Sequence, residues 1–393
     1  MEQKIFSAAL SKSRDWKQAV GDVAAKVRKD LQHKTCDLAI FFVSEAYDNF
    51  NAQEFLSTLS DRMPYRVLIG CNSSGVVGND TEVEMEPAVS MLAMHLPDIK
   101  LYPFYVSGDQ TATLQNGADL IGFLDVFPND KPRFLCLADP MTSDVTHFLH
   151  MFNEGYKGLP VVGGLASGGV MGMPNWLCLN NTIYNDGVVG VGMVGNIEFD
   201  VAVSQGCRPI GKPYVVTKAE DNVLYELAGR SALQVVRELL QDLSAKDKAL
   251  AEQSLSVGLV MNEQQTSFKR GDFLVRNIMG FDPDSEALVV GASLKVGQTL
   301  QFQIRDADTS SEDLKITLDK LKHGNGSTPQ GGVLVSCCGR GKNFYGNPHH
   351  DARAIQSAHG PMPLTGFFAN GEIGPIGQKN YVHGYTSSLV IFR

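Results

Sequence analysis

Long apolar runs are missing from this sequence, and with them any sign of a membrane segment. No uninterrupted apolar stretch approaches the ~18 residues that a membrane-spanning helix needs. The N-terminal stretch MEQKIFSAALSKSRDW also lacks the continuous apolar region of a secretory signal. The sequence therefore predicts a cytoplasmic protein without a membrane partner.

Basic charge is scarce as well. The chain has 34 Lys and Arg residues against 43 Asp and Glu residues, which gives a net charge of −9, and no long basic run interrupts this balance. Binding to a phosphate backbone requires clustered Lys and Arg side chains. We therefore expect no nucleic-acid partner.

Paired cysteine motifs are absent. The seven cysteines are an odd number, and no CxxC or CxxCH motif occurs among them. A disulfide framework, a zinc ribbon and covalently attached haem are therefore not expected, and most of the cysteines are predicted to be reduced, buried thiols. The glycine-rich turns are also not followed by the Gly-Lys-Ser/Thr of a phosphate-binding loop.

A strand–helix–strand–turn pattern is present and recurs three times. Each copy begins with a short apolar run typical of a buried strand, continues through a helix and a second strand, and then reaches a glycine-rich turn. The turns are GCNSSG at 70–75, GGLASG at 163–168 and GFFANG at 366–371, which share the pattern G-x-x-[SA]-[SN]-G. Three such matches indicate repeated β-α-β-β units. We therefore predict an α+β (mixed α/β) fold of mixed sheets with packed helices.

The segment between the second and third copies has a different character. Capping boxes at Ser231/Gln234 and Thr309/Glu312 predict two helices within a series of strands, and 324–329 is predicted to be a loop. The Gly- and Pro-containing segment 206–213 is the predicted boundary between the two halves of the chain.

Reactive side chains are concentrated in the third copy. Cys337 and Cys338 follow an apolar strand and precede Arg340, and a His349-His350 pair comes shortly after them. Because neighbouring strand residues point to opposite faces, we expect at most one of the two thiols to enter a given pocket. The other two copies have Ser, Ala and Gly at their turns, so we expect them to supply structure and pocket walls.

Motifs along nearly the whole chain resemble one family. GCNSSGVVG, VEMEPAVSM and PVVGGLASGG in the first half are similar to the N-terminal FIST domain (F-box and intracellular signal transduction). GKPYVVTKAEDNVLYELAG, RGDFLVRNIMG, GQTLQFQIRDA, SCCGRG, PHHD, GFFANGEIGPIG and HGYT are similar to the C-terminal FIST domain. The helical spacing of apolar residues over 14–31 predicts an N-terminal helix, assigned to 1–30. The resemblance implies a FIST N-terminal domain at 31–210 and a FIST C-terminal domain at 211–393.

The resemblance also implies a function. FIST domains are regarded as sensory domains that bind small ligands, and this chain resembles the stand-alone bacterial members. Some of those bind haem, sense nitric oxide and regulate a partner histidine kinase in two-component signalling. We therefore expect a small-ligand sensor with a signalling partner, and haem as its cofactor. A homo-oligomer and another ligand, such as an amino acid, remain open.

Candidate site residues come from the third copy. A non-covalent haem needs an axial ligand, apolar walls and partners for its propionates. His349 or His350 is assigned as the axial ligand, Phe367 and Phe368 as the apolar walls, and Arg340 as the partner of the propionates. No metal other than the haem iron is expected. The remaining predicted pocket residues are Cys337, Cys338, Asn370, Glu372 and His383.

An enzyme is the alternative class. A cysteine of the 337–338 pair, a histidine of the 349–350 pair and Glu372 could act on a small anionic substrate. No tight catalytic motif accompanies these residues, and no catalytic residue is therefore assigned. A histidine-based metal site is disfavoured because adjacent helical residues point about 100° apart.

Overall fold

The computed structural model describes residues 3–169, 174–322 and 328–393, so most of the loop predicted at 324–329 lies outside the described residues. Within them, no helix combines the length and the apolar character needed to cross a bilayer. The first repeat comprises β1 (Ile5–Ser11), α1 (Trp16–Asp30), β2 (Cys36–Ser44), α2 (Ala52–Arg62), β3 (Tyr65–Ser73), β4 (Gly75–Gly78), β5 (Thr81–Glu84) and β6 (Val89–His95).

The second repeat follows the same order with one additional helix. It comprises β7 (Lys100–Val106), α3 (Gly108–Thr113), α4 (Gly117–Leu124), β8 (Arg133–Ala138), α5 (Val145–Gly155), β9 (Val161–Leu165), β10 (Leu177–Leu179), β11 (Thr182–Tyr184) and β12 (Val188–Val194).

The segment after the second repeat is rich in strands. It comprises β13 (Phe199–Gln205), β14 (Cys207–Pro209), β15 (Tyr214–Glu220), β16 (Val223–Leu227), β17 (Arg230–Ser231), α6 (Ala232–Asp242), α7 (Ala245–Ser254), β18 (Leu255–Val260), β19 (Phe273–Asp282), β20 (Ala287–Val290), β21 (Thr299–Arg305) and α8 (Ala307–Lys322).

The third repeat completes the chain. It comprises β22 (Gly331–Cys337), α9 (Lys342–Tyr345), α10 (His350–His359), β23 (Leu364–Ala369), β24 (Glu372–Ile376), β25 (Lys379–His383) and β26 (Thr386–Phe392).

In the described residues, strands of the three repeats, joined by β13 at one end of the third sheet, form three six-stranded mixed sheets, which confirms the predicted α+β fold. Each sheet is built around a parallel pair, β2–β3, β8–β9 or β22–β23, joined by a crossover helix. The last strand of each repeat returns antiparallel to the first strand of the pair. The parallel pairs explain why their strands are continuous apolar runs, since both faces of such a sheet are covered.

The hairpins between these strands are exchanged between sheets. β4–β5 leaves the first sheet and pairs with β23, β10–β11 pairs with β3, and β24–β25 pairs with β9. The register is equivalent in all three exchanges, because each incoming hairpin pairs with the first glycine of a turn motif. Val77 pairs with Gly366, Cys178 with Gly70, and Ile373 with Gly163. The exchange therefore ties each repeat to its neighbour.

One core lies between the three sheets. Alternate residues of the leading strands, including Leu38, Leu135 and Val333, share a single apolar cluster. Helices cover the opposite faces: α1 and α2 the first sheet, α4 and α5 the second, and α8 and α10 the third. The apolar period of each helix is therefore explained by the sheet that it covers.

The chain divides into two compact units. Unit 1 contains residues 1–203, 314–382 and 386–393, and therefore the three repeats except residues 383–385; unit 2 contains 204–313 and 383–385. The transition at 203/204 lies close to the boundary predicted at 206–213. Residues 314–382, however, return to the unit formed by the first half of the chain.

Unit 2 contains a closed antiparallel barrel. The order β15–β16–β20–β19–β18–β21 closes because β21 pairs with both β18 and β15. Of the box predicted at Ser231, the N-cap half forms: Ser231 Oγ accepts from the Gln234 N–H at 3.3 Å, while the Gln234 side chain donates to Glu238 instead of completing the box. The box predicted at Thr309 is wrong: α8 begins at Ala307, and Asp306 Oδ1 accepts from the Thr309 N–H instead. A carboxylate just before the helix supplies the acceptor earlier.

Candidate functional site

The three glycine turns meet inside unit 1. The Ser74 N–H donates to Ser167 Oγ at 3.0 Å, and the Ser167 hydroxyl donates to the Phe368 carbonyl. The Asn370 N–H donates to the Leu165 carbonyl at 3.0 Å. The carboxyl ends of the parallel strands therefore converge, and in open α/β sheets this edge is the usual ligand-binding edge.

The first glycine of each turn is required by packing. A Cβ on Gly70, Gly163 or Gly366 would lie 2.6, 1.7 or 2.0 Å from a carbonyl oxygen of the neighbouring parallel strand. These distances are shorter than any tolerated contact, so only glycine fits this position. The close approach of the two parallel strands therefore explains why each turn motif begins with glycine.

Cys338 lies where the turns meet. It is the first residue after β22, and its Sγ is 3.2 Å from Ser74 Oγ. The residue is exposed, yet its thiol packs among polar groups, and burial raises its pKa although hydrogen bonds from Ser74 and Ser167 oppose the shift. Cys337, half-buried, accepts a hydrogen bond from the Gly339 N–H at 3.4 Å.

Two carboxyl groups accompany the Cys338 thiol. Glu372 is fully buried, and its Oε2 accepts from the backbone N–H and the hydroxyl of Thr386 at 3.0 and 2.6 Å. Burial raises the pKa of Glu372 to about 8 in spite of these bonds. Glu45 is the first residue after β2, as Cys338 is the first residue after β22. Burial also raises the pKa of Glu45, and Glu45 Oε2 has no hydrogen-bond partner in the described part of the chain. Both carboxylates raise the pKa of the Cys338 thiol.

A network of buried amides and carboxylates supports the second turn. Asn175 Nδ2 donates to Asp139 Oδ1 at 2.9 Å, and Asn175 Oδ1 accepts from the Gly169 N–H at 2.6 Å. Asn72 Oδ1 accepts from the Trp176 N–H at 2.9 Å. These hydrogen bonds hold the backbone at Gly169 and Trp176, next to the second turn.

Arg340 forms a buried ion pair. Its guanidinium makes two hydrogen bonds to Asp351, from Nε at 2.7 Å and from Nη2 at 3.1 Å, and both side chains are almost completely inaccessible. Burial alone would raise the pKa of Asp351, but the guanidinium outweighs it and holds that pKa well below its usual range. The pair fastens the 338–341 turn to α10.

The two adjacent histidines point to different partners. His349 precedes α10 in the left-handed conformation at φ 65°, and its Nδ1 accepts from the Glu82 N–H at 3.0 Å. Burial lowers the pKa of His349. The ring of His350 stacks on Tyr345 at 3.6 Å, and its Nδ1 lies 2.8 Å from Asp351 Oδ1.

The remaining predicted residues are dispersed. Phe367 belongs to the common core, where it stacks on Phe42 at 4.5 Å, and Phe368 is buried against the third sheet's helical layer. Asn370 is exposed at the turn. His383 is buried and belongs to unit 2.

The residues predicted to hold haem do not form one haem slot here. The guanidinium assigned to the propionates is paired with Asp351, and the Phe367 ring assigned to the pocket wall is packed into the core. In the described ranges, no group of three His, Cys, Asp or Glu side chains is arranged to hold a metal ion. No step is therefore derived through haem, and haem binding stays a prediction.

Sequence reasoning missed Glu45, Ser74 and Ser167. Their signal was present in the repeats: Ser74, Ser167 and Asn370 occupy the same fifth position of the turn motif, and Glu45 occupies the position of Cys338 after the leading strand. The first two turns are predicted to supply structure and pocket walls, and the hydroxyls of Ser74 and Ser167 lie beside the thiol.

Comparison with known proteins identifies the family. The sequence matches the FIST N domain over residues 37–230 and the FIST C domain over residues 232–375. A Mycobacterium tuberculosis protein, named only as uncharacterized, is 34% identical over 98% of this chain and 99% of its own length. An uncharacterized Mycobacterium bovis protein is 34% identical over 96% of each chain. An F-box/LRR-repeat protein of Arabidopsis thaliana is 23% identical over 50% of this chain and 43% of its own. FIST domains indicate a sensor domain of signal transduction, and the chain belongs to the FIST family.

Proposed function

We propose that this protein senses a small ligand at the junction of the three glycine turns and passes the signal to a partner such as a histidine kinase. One observation carries the proposal: all three repeats bring polar groups to the exposed thiol of Cys338, with Ser74 Oγ at 3.2 Å. A few convergent polar groups at the ends of parallel strands are typical of small-molecule sites.

The site favours a ligand with hydrogen-bond donors. Glu45 and Glu372 are acceptors when ionised, and both have raised pKa values because burial leaves their charge poorly compensated. An ammonium group would supply that compensation. An amino acid or another small amine is therefore the proposed ligand class.

Thermal shift and calorimetric titrations with the common amino acids and simple amines test this proposal. A bound amine should make Glu372 ionise, so binding near neutral pH should release protons and strengthen as the pH rises toward about 8. Calorimetry in buffers of different ionisation enthalpy measures that release. Replacing Cys338 with Val or Glu45 with Gln should weaken binding at least about tenfold.

The matched control is Ser57→Ala, which removes an exposed hydroxyl from α2. This variant should bind as the parent does. A ligand whose affinity is unchanged in the Cys338 and Glu45 variants would place the sensing site elsewhere in the chain.

Haem with nitric oxide is the narrower form of the sensor proposal, and its support is the resemblance to haem-binding bacterial members. If haem binds, it would supply iron that binds nitric oxide and His349 or His350 would hold it, although Arg340 and Phe367 have other partners in this structure. Haem titration tests it: a saturable Soret band that His349→Ala or His350→Ala removes would support haem. A broad, non-saturating spectrum would restrict the proposal to other ligands.

A further inference from the structure

Among the described residues, no strand pairs with the outer edge of β1, the first strand of the chain. β1 lies at the end of its sheet, and β6 is its hydrogen-bonded neighbour over all seven residues from Ile5 to Ser11. In antiparallel pairing, alternate N–H and C=O groups point away from the partner strand. The outward groups of β1 are therefore available to another strand.

This edge is recessed between two walls. On one side, Ser7 Oγ donates to Asp30 at 2.6 Å and Ser11 Oγ donates to Asp22 at 2.8 Å, which fixes α1 above the strand. On the other side, Gly78 packs so closely that a Cβ there would lie 2.6 Å from Leu10 Cβ. β1 is therefore enclosed on both faces while its edge stays open.

Two adjoining cavities follow the open edge. Their volumes are about 460 and 400 Å³, and both are lined by Ala8, Lys26, Asn79 and Asp80. The larger continues past Phe6 to the 361–363 loop, and the smaller continues to Leu10 and Thr81. With strands about 4.8 Å apart, a rise of about 3.4 Å and a layer thickness of about 10 Å, each residue of an added strand occupies roughly 160 Å³. Each cavity therefore has room for two or three residues.

The walls carry an excess of negative charge. Among the described residues that line the two cavities, three carboxylates, those of Asp22, Asp30 and Asp80, face one ammonium group, that of Lys26, which is paired with Asp30. Asp80 is exposed at the β4–β5 turn. The negative potential of the slot attracts a cationic segment. It repels a second copy of this chain, because that copy has an equally acidic slot and an equally recessed β1.

We propose that this slot binds an extended, positively charged peptide segment of a partner protein, which adds to β1 as an antiparallel or parallel seventh strand. Backbone hydrogen bonds to β1 would supply affinity, and Lys or Arg side chains facing Asp22 and Asp80 would supply selectivity. This surface is separate from the turn junction around Cys338.

The probe is a capped peptide of alternating lysine and valine, about seven residues long to match β1. Fluorescence anisotropy measures its binding to the full-length protein, and hydrogen–deuterium exchange locates it. We expect binding at least about tenfold tighter than that of the matching glutamate–valine peptide, with slower amide exchange in the 5–11 segment.

Charge-reversal variants distinguish binding of the peptide in the slot from its general electrostatic attraction to an acidic protein. Asp80→Lys should weaken binding about tenfold. Asp284→Lys makes the same change of net charge at an exposed turn in unit 2 and should leave binding nearly unchanged. Because both aspartates are exposed, we expect both variants to fold, and circular dichroism verifies this.

Three results would overturn the proposal. The first is no binding of the cationic peptide at about 1 mM, which corresponds to less than about 4 kcal/mol of affinity. The second is binding that leaves exchange in the 5–11 segment unchanged, or that Asp284→Lys weakens as much as Asp80→Lys does. The third is protection of β1 that rises with protein concentration in the absence of peptide, since that would assign the slot to a second copy.

Discussion

At Cys338, an exposed residue carries a thiol that is poorly suited to act as a nucleophile. Reactive cysteines have a lowered pKa, usually beside a cation. Here burial raises the pKa, and the neighbouring carboxylates of Glu372 and Glu45 raise it further. Arg340, which follows the two cysteines in the sequence, is paired with Asp351. The geometry therefore favours a ligand-contacting thiol over a catalytic one.

Alkylation tests this assignment. At about pH 7.5, iodoacetamide should modify Cys338 more slowly in the native protein than in the urea-unfolded protein, because the raised pKa reduces the thiolate fraction. Peptide mass spectrometry measures the rate at each cysteine. Faster modification in the native state would restore the thiol-dependent enzyme as the leading alternative.

The buried carboxyl of Glu372 should make stability depend on pH. Its pKa is raised from 4.5 to about 8 in the folded state, so between these values the folded protein binds the proton more tightly than the unfolded chain does. The contribution of this group to the free energy of unfolding is therefore greatest at low pH and declines as the pH rises to about 8. Each pKa unit corresponds to about 1.4 kcal/mol.

Urea denaturation between about pH 5 and 8 measures this decline. Glu372→Gln should flatten it by a few kcal/mol, because the amide does not ionise. Burial and the charge of Asp351 raise the pKa of Glu82 to about 7. Glu82 should therefore leave a smaller decline of the unfolding free energy with rising pH in this variant. The exposed Glu252→Gln is the control and should behave as the parent does. An unchanged slope in Glu372→Gln would show that this carboxyl is ionised in the folded protein near neutral pH.

At the scale of single elements, the exchanged hairpins hold the helices of the neighbouring repeat. His349 makes no side-chain cap for α10, and Glu82 on β5 takes that role by accepting from the Ala352 N–H at 2.9 Å. Glu84 on the same strand accepts from the Lys342 N–H at the start of α9 at 2.9 Å. A carboxylate at a helix N-terminus also favours the helix dipole. The first repeat therefore completes two helices of the third.

The ion pair between the 338–341 turn and α10 provides a stability prediction. Arg340→Met would leave Asp351 buried without its cation, and the loss should be about 3–5 kcal/mol of unfolding free energy. The exposed pair Arg237–Glu286 provides the control, since Arg237→Met should cost less than about 1 kcal/mol. Urea denaturation measures both.

The double variant Arg340→Met with Asp351→Asn sharpens the interpretation. Removing the stranded charge should recover a large part of the loss. A double variant as unstable as Arg340→Met would mean that the packing of the arginine side chain, and not the charge of its partner, is responsible.

At the scale of the whole molecule, the repeats of unit 1 depend on a common core. Phe42 from the first sheet stacks on Phe367 from the third at 4.5 Å. Changing either residue to Leu should destabilise the protein, and the two changes should be coupled by about 1 kcal/mol in a double-mutant cycle. Phe42 and Phe134 belong to different clusters and should give additive effects. Additivity in the first pair would contradict a core shared between sheets.

Much of the frame was predictable because its causes are local. The apolar period of α1, the short apolar runs of the parallel strands and the repeated glycine turn can each be recognised within a few tens of residues. The start of α8 was misplaced for a local reason too, because Asp306 competes with Thr309 for the capping position.

The arrangement of the candidate site was predictable only in part. Cys338, Asn370 and Glu372 lie at or near the turn junction as their motif suggested, but their neighbours come from distant segments. The hydroxyl of Ser74 is separated from the thiol of Cys338 by 264 residues. No local pattern predicts such a contact, because it depends on how the sheets pack.

Residue type and short-range order were enough to identify the three repeated frames, the glycine at each close strand approach and the membership of the FIST family. The exchange of hairpins between sheets, the pairing of Arg340 with Asp351, and the contacts among Ser74, Ser167 and Cys338 arise only in the folded molecule. Long-range strand pairing and burial select these partners, because chain order carries no information about which sheet a hairpin joins.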